Sequence, residues 1–125
     1  MGVRIITDTG CDLPPKLERQ FNIEAIPFFF HFGLEAWRDK TMPMRDFLAK
    51  ARETWPKTAA PSTEEFTRVF RKGIDAGDQV LCIPITSKHS ATYAAAVTAS
   101  RQFPPEDIAV IDSLSLSIGQ GILAL

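Results

Sequence analysis

Six consecutive apolar residues, Val80-Leu81-Cys82-Ile83-Pro84-Ile85, give way at once to the hydroxyl-rich run Thr86-Ser87-Lys88-His89-Ser90. A run this short is strand-length, and without polar alternation it needs apolar cover on both faces. Sheets covered on both faces are characteristically parallel and wrapped by right-handed helical crossovers. The rest of the chain agrees. Val3 to Thr7 is a β-branched run that stops at the turn formers Asp8-Thr9-Gly10, and Ile108 to Ile111 reads as a further buried strand ending in Asp112-Ser113.

Helical patterns lie between these strands. Asp12 is placed to cap a short helix through Pro14 to Gln20, whose prolines fall in the first turn. Pro43 can open a helix with Phe47, Leu48, Ala51 and Trp55 on one face. Ser62-Thr63-Glu64-Glu65 has the form of a capping box for a helix carrying Phe66, Val69, Phe70 and Ile74 and closing near Gly77. A helix from about Ser90 to Gln102 is rich in alanine, which allows close approach to a sheet, and another starts near Leu116. Asn22 to Phe32 is extended and turns at Gly33-Leu34-Glu35 towards Ala36-Trp37 as a hairpin, with Pro27 weakening any central position.

The expected architecture is α/β, one domain over residues 1–125, with a mostly parallel β-sheet and helices on both faces. In such sheets ligands gather beyond the carboxyl ends of the strands. That rule selects the loops Asp8 to Asp12, Thr86 to Ser90 and Asp112 to Ser117, with Thr58 to Ser62 entering from a helix start.

Charge and composition narrow the function. Fourteen basic and 15 acidic residues give a net charge of -1 with no basic stripe, which argues against nucleic acid as a partner. No apolar stretch approaches the ~20 residues of a membrane span, and the first residues lack a secretory signal, so the expected location is the cytoplasm. Cys11 and Cys82 do not form a disulfide framework, and His31 and His89 have no metal-ligand spacing.

The loop Thr86 to Tyr93 carries the chemistry. A turn from a buried strand into a helix collects free N–H groups and a positive dipole end, and hydroxyls such as Ser90 and Thr92 add donors for a carboxylate or phosphate. The plainer reading is that Ser90 only caps the helix. A nucleophile elbow needs Gly-x-Ser-x-Gly, which is absent around Ser87 and Ser90, so a serine hydrolase or phosphotransfer component stands as the alternative.

Ile6-Thr7-Asp8-Thr9-Gly10-Cys11-Asp12-Leu13-Pro14 resembles the opening motif of the DegV family, in which Thr-Asp-Ser precedes Asp-Leu-Pro. Further matches follow in order: Thr58-Ala59-Ala60-Pro61-Ser62 with Thr-Ser-Gln-Pro-Ser, Thr86 to Tyr93 with Ser-Ser-x-x-Ser-Gly-Thr-Tyr, Ile111-Asp112-Ser113 with Ile-Asp-Ser, and Gly119-x-Gly121. The resemblance implies a fatty acid carrier, not an enzyme, that presents a carboxylate to an acyl kinase subunit without a cofactor. It assigns the carboxylate to Thr58 and Ser90, the helix start adds the Ala91 N–H as a donor, and Ser62, Ser87, His89, Thr92, Asp8 and Thr9 are candidates to stand behind them. Apolar side chains would take the tail, although Phe28, Phe29, Phe30 and Phe32 read as core rather than tunnel. Ala59, Ala60 and Ala91 replace Ser, Gln and Gly of the pattern, Lys40 replaces Gly after Asp39, and Trp37 replaces Tyr. The resemblance also implies a second domain, absent from these residues, whose place a separate polypeptide or a second copy could take. A third reading is a structural half that needs that second polypeptide.

Overall fold

A computed structural model describes residues 1–125. Its strands are β1 (Val3–Asp8), β2 (Glu24–Ile26), β3 (Phe29–Phe32), β4 (Glu35–Arg38), β5 (Lys57–Ala59), β6 (Gln79–Cys82) and β7 (Ile108–Val110). The helices are α1 (Pro15–Gln20), α2 (Met44–Glu53), α3 (Thr63–Asp75), α4 (Thr92–Ser100) and α5 (Ser117–Ala124). Four strands form a wholly parallel sheet in the order β2-β1-β6-β7, and Ile6 of β1 sits between Glu24 of β2 and Cys82 of β6.

Alternation along β1 divides the core into two layers. Ile6 points with Val80 and Cys82 towards α3 and α4, where Phe66, Phe70, Ala96 and Ala99 are fully buried. Each of the two phenylalanines contributes roughly 1.5–3 kcal/mol by leaving water. Ala96 and Ala99 place only a methyl group between α4 and the sheet, which realises the close approach read from the alanine run. Ile5 points the other way, into a smaller cluster of Cys11, Leu13, Ile23 and Ala124 beneath α1 and α5. Helices therefore cover both faces, as the sequence pattern requires.

Several local expectations change. The extended stretch Asn22 to Phe32 breaks at Pro27, which has no N–H to give a ladder. Before the break β2 joins the parallel sheet, and after it β3 enters a separate antiparallel sheet in the order β4-β3-β5. The β3–β4 hairpin is as expected, with Gly33 at φ +59 in its two-residue turn, a conformation open to glycine. Asp12 does not cap α1. Pro14 occupies the cap position directly before the first turn, while Asp12, two residues upstream, closes the 3₁₀ turn Thr9–Cys11 at φ +52 and accepts from Ser117 Oγ at 2.7 Å.

The strand at Ile108 is not buried throughout. It lies at the sheet edge, and Ala109 and Ile111 are exposed because no helix covers that part of the second face. The expected apolar face of α2 is also incomplete. Phe47 packs on Phe30 and Phe32, with ring centroids 5.2 and 5.4 Å away, but Leu48 is exposed and Trp55, past the helix end, is 84% exposed. Lys40, where the resemblance expects glycine, keeps a left-handed backbone at φ +64 and reaches the Leu13 carbonyl with its ammonium at 3.4 Å.

Candidate functional site

Parallel order brings the ends of β1, β6 and β7 to one edge of the sheet, and the loop from Ile83 to Ala91 is tied to both neighbours. The Ile85 N–H donates to Asp8 Oδ2 at 2.7 Å, on the β1 side. On the β7 side, the Ser87 N–H donates to Asp112 Oδ1 at 3.1 Å and the Thr86 N–H to the Ser115 carbonyl at 2.9 Å. Buried Thr86 then turns the chain by accepting from the N–H groups of Lys88 and His89.

This turn delivers a half-buried Ser90 to the start of α4. Its Oγ lies 2.7 Å from Oγ1 of fully buried Thr92 and accepts from the Thr92 N–H at 3.2 Å. Ser90 thus does cap part of the helix entry, while α4 itself begins at Thr92 and Ala91 takes the cap position without a side-chain bond. The Ala91 N–H has no acceptor in the protein, and Ala91 is exposed. An anion here would meet that free donor, the helix dipole and the two hydroxyls together.

Asp8 underlies the loop. It is fully buried, and its carboxylate also accepts from the Gly10 N–H at 2.9 Å and Gln120 Nε2 at 3.1 Å. Burial pushes its pKa up, and the bonds from Ile85, Gln120 and Gly10 pull against that rise. Gln120 is a residue that sequence reasoning misses. It is fully buried on α5 and donates to Thr7 Oγ1 at 2.9 Å as well as to Asp8, while the Thr7 hydroxyl donates to the Ile83 carbonyl at 2.7 Å. The flanking glycines are the available signal, since a Cβ on Gly121 would lie 2.7 Å from the Cys11 carbonyl oxygen.

Asp112 reads in the sequence as a polar strand end that opens one of the selected loops, and in the structure it also accepts from the Leu114 N–H at 3.0 Å. The Ser87 hydroxyl beside it, with the Leu114 and Ser87 N–H groups, holds its pKa below the ordinary carboxylate value. Thr9 Oγ1 accepts from the Phe28 N–H at 3.0 Å and so ties this edge to the residue directly before β3. Cys11 and Cys82 are buried with thiol pKa values pushed up by burial, which suits packing rather than reactivity.

The other candidate residues make no hydrogen bond to Ser90 or Thr92. Thr58 is exposed on β5 opposite Phe30 and shares no hydrogen bond with Ser90. The Ser62 hydroxyl accepts from the Glu65 N–H while Glu65 reaches back to the Ser62 N–H, so the capping box forms as expected. His89 and Ser87 are exposed in the loop. Phe30 and Phe32 are core, and a recess of about 200 Å³ between Phe30, Phe47, Met42 and Met44 includes neither Ser90 nor Thr58. No cluster of His, Cys, Asp or Glu could hold a metal ion, and no helix is long and apolar enough to cross a membrane.

Known proteins share this fold. A family model described as "Uncharacterised protein, DegV family" matches residues 2–125. A DegV domain-containing protein of Clostridium acetobutylicum is 32% identical over 126 residues, covering 98% of this chain and 45% of its own length. Among solved structures, a fatty acid-binding DegV family protein from Thermus thermophilus superposes with a TM-score of 0.91 at 30% identity, covering 99% of this chain and 45% of that one. A stearic acid-binding protein from Eubacterium ventriosum gives 0.88 at 28% identity, covering 97% and 44%. The chain spans a little under half the length of these relatives. With the family match running almost end to end, this chain belongs to the DegV family.

Proposed function

We propose that this chain is a non-catalytic cytoplasmic carrier that holds the carboxylate of a long-chain fatty acid at the start of α4, for presentation to an acyl kinase partner. The observation that carries the reading is the coupling of the Ser90 and Thr92 hydroxyls beside the free Ala91 N–H. A carboxylate accepts several charge-assisted bonds and is costly to desolvate without them. Solved relatives of the same fold are fatty acid-binding proteins, which favours a lipid acid over other anions. Ser90 is bonded to Thr92 rather than to a general base, which favours binding over hydrolysis.

Thr58 completes the carboxylate site when ligand is bound, with Ser62, Ser87, His89, Thr92, Asp8 and Thr9 around it, and no cofactor takes part. The relatives' additional length leaves room for a second DegV domain, on this or another polypeptide, or for a second copy, to close the site over the tail.

Denaturing extraction of the purified protein followed by mass spectrometry tests this, with Ser90→Ala purified in parallel. The expected result is a stoichiometric long-chain fatty acid in the wild type. Its affinity falls in the variant by roughly 1.5–3 kcal/mol, the scale of a lost hydrogen bond to a charged group. Equal fatty acid affinity in the two proteins removes Ser90 from the site. Retention of ligand only by a form carrying a second domain assigns binding to the pair.

A further inference from the structure

The loop that bears Ser90 leaves β6, whose two neighbours in the sheet are β1 and β7. An aspartate stands at the end of β1 and another two residues past the end of β7, and each accepts a backbone N–H from that one loop: Asp8 from Ile85 and Asp112 from Ser87. The attachments are two residues apart on the loop and come from opposite sides of β6. Two such anchors fix both the position and the rotation of a short segment, where one would leave it free to pivot.

The two anchors differ in kind. Asp8 lies in the fully buried layer and is itself held by Gln120 and the Gly10 N–H. Asp112 is half-buried at the surface and takes the Leu114 N–H as its second donor, within a loop where Leu114 and Ser117 both have left-handed φ angles, +50 and +54. Non-glycine residues hold such angles only when their surroundings impose them, so the loop that carries Asp112 is itself fixed in shape. Neither carboxylate has a hydrogen bond with Ser90 or Thr92.

We propose that Asp8 at the end of β1 and Asp112 in the loop after β7 are positioning residues that hold the 83–91 loop from either side of β6, so that the Ser90 hydroxyl and the Ala91 N–H converge on a fatty acid carboxylate. The inference rests on the fatty acid site proposed above. It names residues that act on ligand affinity through the loop, without touching the ligand.

The test is titration of the full chain with a fluorescent long-chain fatty acid, comparing wild type, Asp112→Ala, Asp112→Asn and Ser90→Ala, with thermal melting of each. Asp112 is used because it lies at the surface, whereas replacing buried Asp8 risks the fold. Asp112→Ala is expected to weaken binding by on the order of tenfold with little change in melting, since both amide anchors at that carboxylate are lost. Asp112→Asn keeps Oδ1 as an acceptor and is expected to stay within about threefold of wild type. Wild-type affinity in Asp112→Ala while Ser90→Ala is impaired overturns the brace and leaves the site intact. An Asn variant as weak as the Ala variant also overturns it, because charge rather than the anchoring bond would then be responsible. Equal binding by wild type and Ser90→Ala, or none by wild type either alone or in a form carrying a second domain, overturns the site and the brace together.

Discussion

The parallel sheet with α3 and α4 and the antiparallel sheet with α2 are built on different terms. In the first, Phe66 and Phe70 are completely buried and, beside surface pairs such as Lys72 with Glu24, there are internal polar ties, as in Thr7 to the Ile83 carbonyl and Asp8 to the Ile85 N–H. In the second, α2 has no fully buried residue, and its polar ties are surface ion pairs such as Lys50 with Glu35 and Arg45 with Asp46. Exposed pairs of that kind are worth little in water and weaken further with salt. Ser90 therefore rises from a frame whose opening requires the core to open, whereas Thr58 sits on one that can open locally. On the proposed reading, the carboxylate site has one preorganised wall and one adaptable wall.

The sharpest way to break this contrast is Phe70→Ala, expected to cost about 3–5 kcal/mol of global stability through transfer and cavity terms. Chemical denaturation measures it, and a cost below about 1 kcal/mol would place the main core elsewhere. Phe47→Ala should cost less, about 1–2 kcal/mol, because the ring is only half-buried against Phe30 and Phe32. Hydrogen exchange should then quicken in β3 and β5 while β1 and β6 keep their protection. Uniform loss in all four strands would show that the two sheets open as one unit. Smallest is Lys40→Gly, expected to stabilise by about 0.5–1 kcal/mol as relief of the left-handed backbone outweighs glycine's entropy. A destabilisation in its melting curve would mean that the Lys40 bond to the Leu13 carbonyl outweighs the strain.

The parallel sheet, the helix stripe of α3, its capping box and the hairpin at Gly33 are all legible in the sequence, because each depends on a period or a cap only a few residues long. The strand-to-helix hydroxyl loop is legible for the same reason. Local pattern misleads at α2 and at the strand beginning with Ile108. A stripe or an apolar run states that a residue can be buried, and only the assembled fold states whether something covers it. Leu48, Trp55 and Ile111 are exposed because nothing does.

The sequence by itself therefore determined the class of fold, the loops at the sheet edge and the serine turn suited to an anion. Tertiary structure alone decided that Gln120 meets Asp8 from 112 positions away, that Asp112 meets Ser87 from 25 away, and that Pro27 sends β3 into a different sheet with Thr58. The physical reason is that burial preference and helix or strand period are carried by neighbouring residues. The choice of hydrogen-bond partner is set by strand order, which brings together residues that no local pattern relates.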